Sequence, residues 1–134
     1  MSDPAVNSPR LHATRPVWYN LSPVNLPIPG LVSIFHRVSG LALFAGMFWL
    51  LYLLDESLAS AESFARFKAI AAHPLAKLVL LGFGWSFLHH FCAGIRFLLL
   101  DVHIGSSLEA ARRSSGIVFG VSLLLTVIFG ARLW

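Results

Sequence analysis

The sequence predicts an all-α membrane protein with three transmembrane helices, part of a larger helical bundle. Three observations carry that reading. Of 134 residues, 57% are hydrophobic and only 12% charged, with a mean hydropathy of +0.75. Three apolar windows, 31–54, 75–100 and 116–134, reach the roughly 20 residues a helix needs to cross about 30 Å of hydrocarbon. A chain this short with three spans can bury little core of its own, so partner subunits are expected. The organisation that follows is a cytoplasmic arm and interfacial strap over 1–30 and a three-helix anchor over 31–134.

Composition also excludes several classes. The single cysteine, Cys92, cannot form an internal disulfide and supplies no metal pair; a packing role between helices is expected. The net charge of +4 reads as topology rather than as an anionic ligand site. Arg10 and Arg15 precede the first span, and Arg112 and Arg113 lie between the second and third. The first link sets Asp55, Glu56 and Glu62 against Arg66 and Lys68, with Lys77 just inside the next span. Basic short loops stay in the cytoplasm, which places the N-terminus and the second link there. No basic run with interleaved aromatics marks a nucleic-acid interface.

Taken in order, residues 1–15 lack an apolar period and read as a flexible arm, without the h-region of a secretory signal. Pro16, Pro23, Pro27 and Pro29 deny residues 15–29 a regular helix. Trp18 and Tyr19 suit the headgroup zone, so this stretch reads as an extended strap. The first span opens with SIFHRVSG. Ser33 and Arg37 are one turn apart, Gly40 and Phe44 continue the stripe, and His36 is beside them. A lone arginine near a helix end could snorkel to headgroups, but a serine and a histidine in the same turn make a polar pocket instead. Residues 55–74 form the next link, with amphipathic SFARFKAI as a short surface helix and His73 as a helix-entry residue before Pro74.

The second span carries LHHFCAGIRFLLLD, an unusual set of ionisable groups for membrane depth. Such groups usually face a protein interior, a cavity or a cofactor. His90, Gly94, Phe97 and Asp101 share a stripe, a plausible wall for a planar ligand. His90 lies 13 residues from Lys77 and 11 from Asp101, or roughly 16 to 20 Å from each, hence near the midplane. Antiparallel neighbours would gather His36, Arg37, Arg96 and Asp101 at one cytoplasmic level, with His90 one to two turns deeper. That order matches a haem standing across the membrane, its iron on His90 and its propionates turned towards His36 and Arg37. His89, about 100° round the helix, cannot ligate the same iron, so a second axial histidine would come from another chain. Residues 102–115 read as a polar link in which Arg112 and Arg113 meet lipid phosphate or an acidic partner. The third span has small residues for close packing, with Ser122 and Thr126 back-bonded to their own helix and Arg132 and Trp134 as interfacial anchors.

RPVWYNLSPVNLPIP, then SIFHRVSG, then HxxxGIRxxxxD, with this length and three spans, resembles the cytochrome b556 anchor subunit of succinate dehydrogenase, respiratory complex II. The resemblance covers nearly everything from Arg15 onward. It implies an anchor that is not catalytic alone and that, with a second hydrophobic anchor subunit supplying the other axial histidine, binds haem b. It also implies that the chain holds the flavoprotein and iron–sulfur subunits to the membrane and helps shape the ubiquinone-reduction site. Carried over, His90 is the haem iron ligand and His36 a propionate contact. Ser33 and Arg37 are quinone-site residues, and Asp101 is a structural or proton-linked partner of the cytoplasmic cluster. One departure is Phe97, where related chains can have a propionate-contacting histidine after GIR. The location implied is the bacterial inner membrane; the mitochondrial inner membrane is the alternative, disfavoured by the lack of an Arg-rich, Ser-rich presequence. Two rivals stay open: a haem-free structural anchor of a related quinone oxidoreductase, and a small proton-coupled transporter, against which stands the lack of an inverted repeat.

Overall fold

The computed structural model describes residues 26–133. The expected arm and most of the strap, including Arg15, Trp18 and Tyr19, lie outside the described residues, as does Trp134. Four helices follow: α1 (Ile28–Ala59), α2 (Ala61–Ala71), α3 (Pro74–Asp101) and α4 (Leu108–Leu133). Three of them, α1, α3 and α4, are long and apolar enough to cross a membrane. This is an all-helical, multi-pass membrane protein, with no strand among the described residues.

Each helix that spans is longer than its apolar window. α1 starts at Ile28, not Leu31, because Pro27 in extended conformation acts as N-cap and Pro29 sits in the first turn, where its absent N–H costs nothing. It then runs past Leu54 through Asp55 and Glu56 to Ala59. At 32 residues it is about 48 Å long, so its end stands outside the hydrocarbon. Ser60 breaks the chain direction and caps α2. Its Oγ accepts from the Ser63 amide at 3.0 Å, while its own amide donates to Ser63 Oγ at 3.0 Å, a reciprocal capping box.

α2 is the expected surface helix. Phe64 and Ile70 remain exposed, as suits an amphipathic helix lying in the membrane interface. His73 takes the expected entry role: its Nδ1 accepts from the Leu75 amide at 3.2 Å, and Pro74 opens α3. The second link is shorter than expected. α4 begins at Leu108 rather than Gly116 because Ser107 Oγ receives the Ala110 amide at 3.3 Å and Glu109 pairs with Arg113 at 2.6 Å, spacing that supports an exposed first turn. The tight reversal falls on His103 (φ 64°) and Gly105 (φ 73°), the left-handed conformation that glycine takes freely and histidine tolerates.

α3 is the central helix, packed along both α1 and α4. Buried positions recur at helical spacing: Val32, Ser39 and Gly46 on α1, His89, Ala93 and Arg96 on α3, Ser115, Val118 and Ser122 on α4. Val32, Ala93 and Val118 form the apolar centre, with Cys92, Phe97 and Phe119 packed on it, so Cys92 has the packing role expected of it. Ser39, Gly46, Ser115 and Ser122 add small residues to the buried faces, which lets membrane helices approach closely where lipid is as apolar as the core. Ser122 donates to the Phe119 carbonyl at 3.1 Å and Thr126 to that of Ser122 at 2.7 Å; both back-bond as expected.

Gly46 illustrates how tight the α1–α3 seam is. A Cβ there would run into the Phe83 ring, which stacks on Trp49. Gly46→Ala is expected to cost about 1–3 kcal/mol by overpacking, read as a lower melting temperature of the detergent-solubilised protein. An unchanged melting temperature would mean that Phe83 swings clear.

Candidate functional site

The site predicted from sequence centres on the meeting of α1 and α3. Gly40 lies under the His90 ring and Gly94 beside the His36 ring, so a residue without a side chain on each helix makes room for the other helix's histidine. The rings stack with centroids 4.1 Å apart and planes 10° off parallel. Phe97 meets the His36 ring edge-on at 5.1 Å. Phe97, which stands where the resemblance allows a histidine after GIR, thus packs on His36 instead.

His90 is held through its Nδ1. Only a donor can face a carbonyl, so Nδ1–H donates to the His36 main-chain oxygen, at 3.0 Å. This sets the tautomer, leaving the Nε2 lone pair available, and Nε2 makes no hydrogen bond among the described residues. A histidine whose second nitrogen is tied to a carbonyl is the usual arrangement of a metal-ligating imidazole. Among the described residues no three His, Cys, Asp or Glu side chains are grouped to hold a metal ion. What the described residues offer at this point is one oriented imidazole nitrogen, which fits a group that needs a single protein ligand here, as the haem expected from the sequence would.

His89, the neighbour set aside from sequence, is fully buried on another face of α3. Trp85, Phe119 and Phe35 surround it at 5.2, 5.1 and 6.0 Å between ring centroids. The Val32 main chain faces the ring, yet neither nitrogen completes a hydrogen bond among the described residues. His89 packs the three-helix core while His90 faces the α1 histidine.

The cationic cluster expected at the cytoplasmic end does not assemble as drawn. Arg96 turns away from α1 into the α3–α4 seam, where Nε donates to Ser114 Oγ at 2.9 Å and a terminal nitrogen to the Ala111 carbonyl at 3.3 Å. The cause is α4 beginning eight residues early, which brings carbonyls and a hydroxyl beside α3 that a polar loop would not have offered. Asp101 is exposed at the end of α3 and has no hydrogen bond or ion pair among the described residues. Arg37 is exposed on the flank of α1 and lies within electrostatic reach of His36. Ser33 is half-buried one turn away. Ser33, Arg37 and Phe44 mark a face beside the packed one, open to lipid or to another subunit.

Sequence reasoning passed over Ser39. It is 3% exposed, donates to the His36 carbonyl at 3.0 Å, and its Oγ is 3.4 Å from His90 Nδ1. The available signal was its place one turn after His36. A further apolar cavity of about 600 Å³ lies between α1, α2 and α3, lined by Trp49, Leu53, Phe67, Ile70, Ala76 and Leu80 among others. It is at the opposite end of the spans from Ser33 and Arg37 and separate from the histidine pair.

A family model described as the succinate dehydrogenase/fumarate reductase transmembrane subunit matches residues 12–129. The chain is 36% identical over 128 residues to the succinate dehydrogenase cytochrome b556 subunit of Coxiella burnetii, covering 92% of this chain and 100% of that protein. It is 31% identical over 114 residues to the protein of the same name from Paracoccus denitrificans, covering 85% and 88%. With that of Rickettsia prowazekii the identity is 29% over 118 residues, covering 88% and 92%. The family model's match takes in α1 to α3 and nearly all of α4, with both histidines inside it. The chain belongs to the family of succinate dehydrogenase/fumarate reductase transmembrane subunits.

Proposed function

We propose that this chain is the cytochrome b anchor of a succinate dehydrogenase in a bacterial inner membrane, with its N-terminus in the cytoplasm. In this reading it co-ligates haem b, helps form a ubiquinone-reduction site, and holds the flavoprotein and iron–sulfur subunits to the membrane beside a second anchor subunit. The observation that carries it is the His90 imidazole, fastened through Nδ1 to the His36 carbonyl with the lone pair of Nε2 left to bind a metal. Family membership and the names of the relatives support it.

Haem b, when bound, supplies one-electron redox chemistry inside the membrane. The chain's own residues do the rest. His90 would hold the haem iron through Nε2, together with a histidine of the partner anchor subunit. His36 and Arg37 supply hydrogen-bond donors and positive charge for the propionates, since a carboxylate at this depth needs both. Ser33 and Arg37 bind the quinone oxygens on the open flank of α1, where a fixed cation and a hydroxyl stabilise negative charge as the quinone is reduced. The exposure of Arg37 supports this: an arginine on an apolar helix face is costly in lipid unless something pairs with it. Asp101, exposed at the end of α3, is in this reading a structural or proton-linked residue on the cytoplasmic side.

Deleting the gene tests the anchoring role. Succinate oxidation by an artificial acceptor is expected to move from the membrane pellet to the soluble fraction, with succinate–ubiquinone activity lost. Dehydrogenase that stays membrane-bound and quinone-active would overturn the proposal.

A further inference from the structure

The His36 carbonyl accepts two hydrogen bonds from different helices. One comes from His90 Nδ1 on α3 at 3.0 Å, the other from Ser39 Oγ on α1 itself at 3.0 Å. The Ser39 hydroxyl is buried, so water does not replace its partner when that is altered. Gly40 keeps the arrangement closed, because a Cβ there would lie 2.8 Å from His90 Cε1, too close for the ring to stay where it is.

From this geometry we infer that Ser39 is a positioning residue that tunes the haem ligand through the carbonyl it shares with His90. The inference rests on the haem-ligand reading of His90. Two donors on one oxygen divide its electron density, so the serine proton weakens the hold of the carbonyl on Nδ1–H. The contact between Oγ and Nδ1, at 3.4 Å, is long and secondary. Removing the hydroxyl leaves the carbonyl wholly to His90. The Nδ1–H bond shortens, the ring gains imidazolate character, and a more basic axial ligand favours oxidised iron. Ser39 therefore holds the potential of the haem above the value that the His90 to His36 contact would set alone.

The test is a redox titration of the b-type absorption in the purified complex, for wild type, Ser39→Ala, Ser39→Thr and His90→Ala. Ser39→Ala is expected to keep its haem and its band positions while its midpoint potential falls. Ser39→Thr, which restores a hydroxyl, is expected to titrate with wild type. A potential for Ser39→Ala that is unchanged or higher overturns the inference, as does a fall that threonine does not reverse. Should the alanine variant fail to assemble, Ser39→Cys decides, since a thiol is a weaker donor: a lower potential supports the inference and an unchanged one rejects it. His90→Ala separates the two levels. Loss of its signal with no shift in the Ser39 variants leaves the ligand reading standing and removes only this inference, whereas a retained wild-type signal removes both.

Discussion

Replacing His90 with alanine is expected to abolish or convert the low-spin b-type signal in the reduced-minus-oxidised spectrum of the purified complex. The expectation follows from the chain's donor set: one imidazole with Nδ1 committed to the His36 carbonyl and Nε2 directed to no described protein group. Loss of a supporting contact to a metal ligand costs 10–100-fold in affinity, so loss of the ligand itself is expected to reduce haem retention by at least about tenfold. His89 does not substitute, because it is buried among Trp85, Phe119 and Phe35 and moving it out would open the three-helix core. His89→Phe is the matched control, expected to keep the spectrum. An unchanged spectrum in His90→Ala rejects the ligand assignment. Absence of any Soret band in the wild-type complex would favour the haem-free anchor instead.

The second large effect is on quinone. Arg37→Ala is expected to lower succinate–ubiquinone activity by about 10²–10³, the usual cost of removing one fixed donor from a site where negative charge develops. Ser33→Ala is expected to lower it about tenfold, the scale of one neutral hydrogen bond of about 1.4 kcal/mol. Succinate oxidation by an artificial acceptor should stay near wild type in both, because in the proposed reading that reaction takes place in the soluble subunits. Equal losses in the two assays would assign Ser33 and Arg37 to assembly. The open position of both residues beside the packed face of α1 makes that outcome a real alternative for the experiment to decide.

Much of the fold was legible because hydropathy and capping act locally. Three apolar windows mark three spans, SFARFKAI marks the interfacial α2, and His73 before Pro74 marks the entry to α3. Helix ends were less legible. An apolar window reports where hydrocarbon begins, whereas a helix continues until its backbone loses a partner. Pro27 and Pro29 therefore start α1 early, and the Ser107 cap with the Glu109–Arg113 pair starts α4 early. The misplaced start of α4 had a consequence at the site, since it hid the Ala111 and Ser114 partners of Arg96.

By itself the sequence determined that this is a three-span helical anchor, which faces of α1 and α3 carry histidine, and that His89 and His90 point different ways. Those properties depend only on hydropathy, chain length and the 100° step of the helix. Tertiary structure alone decided that His36 and His90 stack, that a main-chain carbonyl orients the second by its Nδ1, that Ser39 shares that carbonyl, and that Arg96 joins α4 rather than a cationic cluster. Each of these depends on how far one helix slides along another, and a shift of a single turn would exchange every partner.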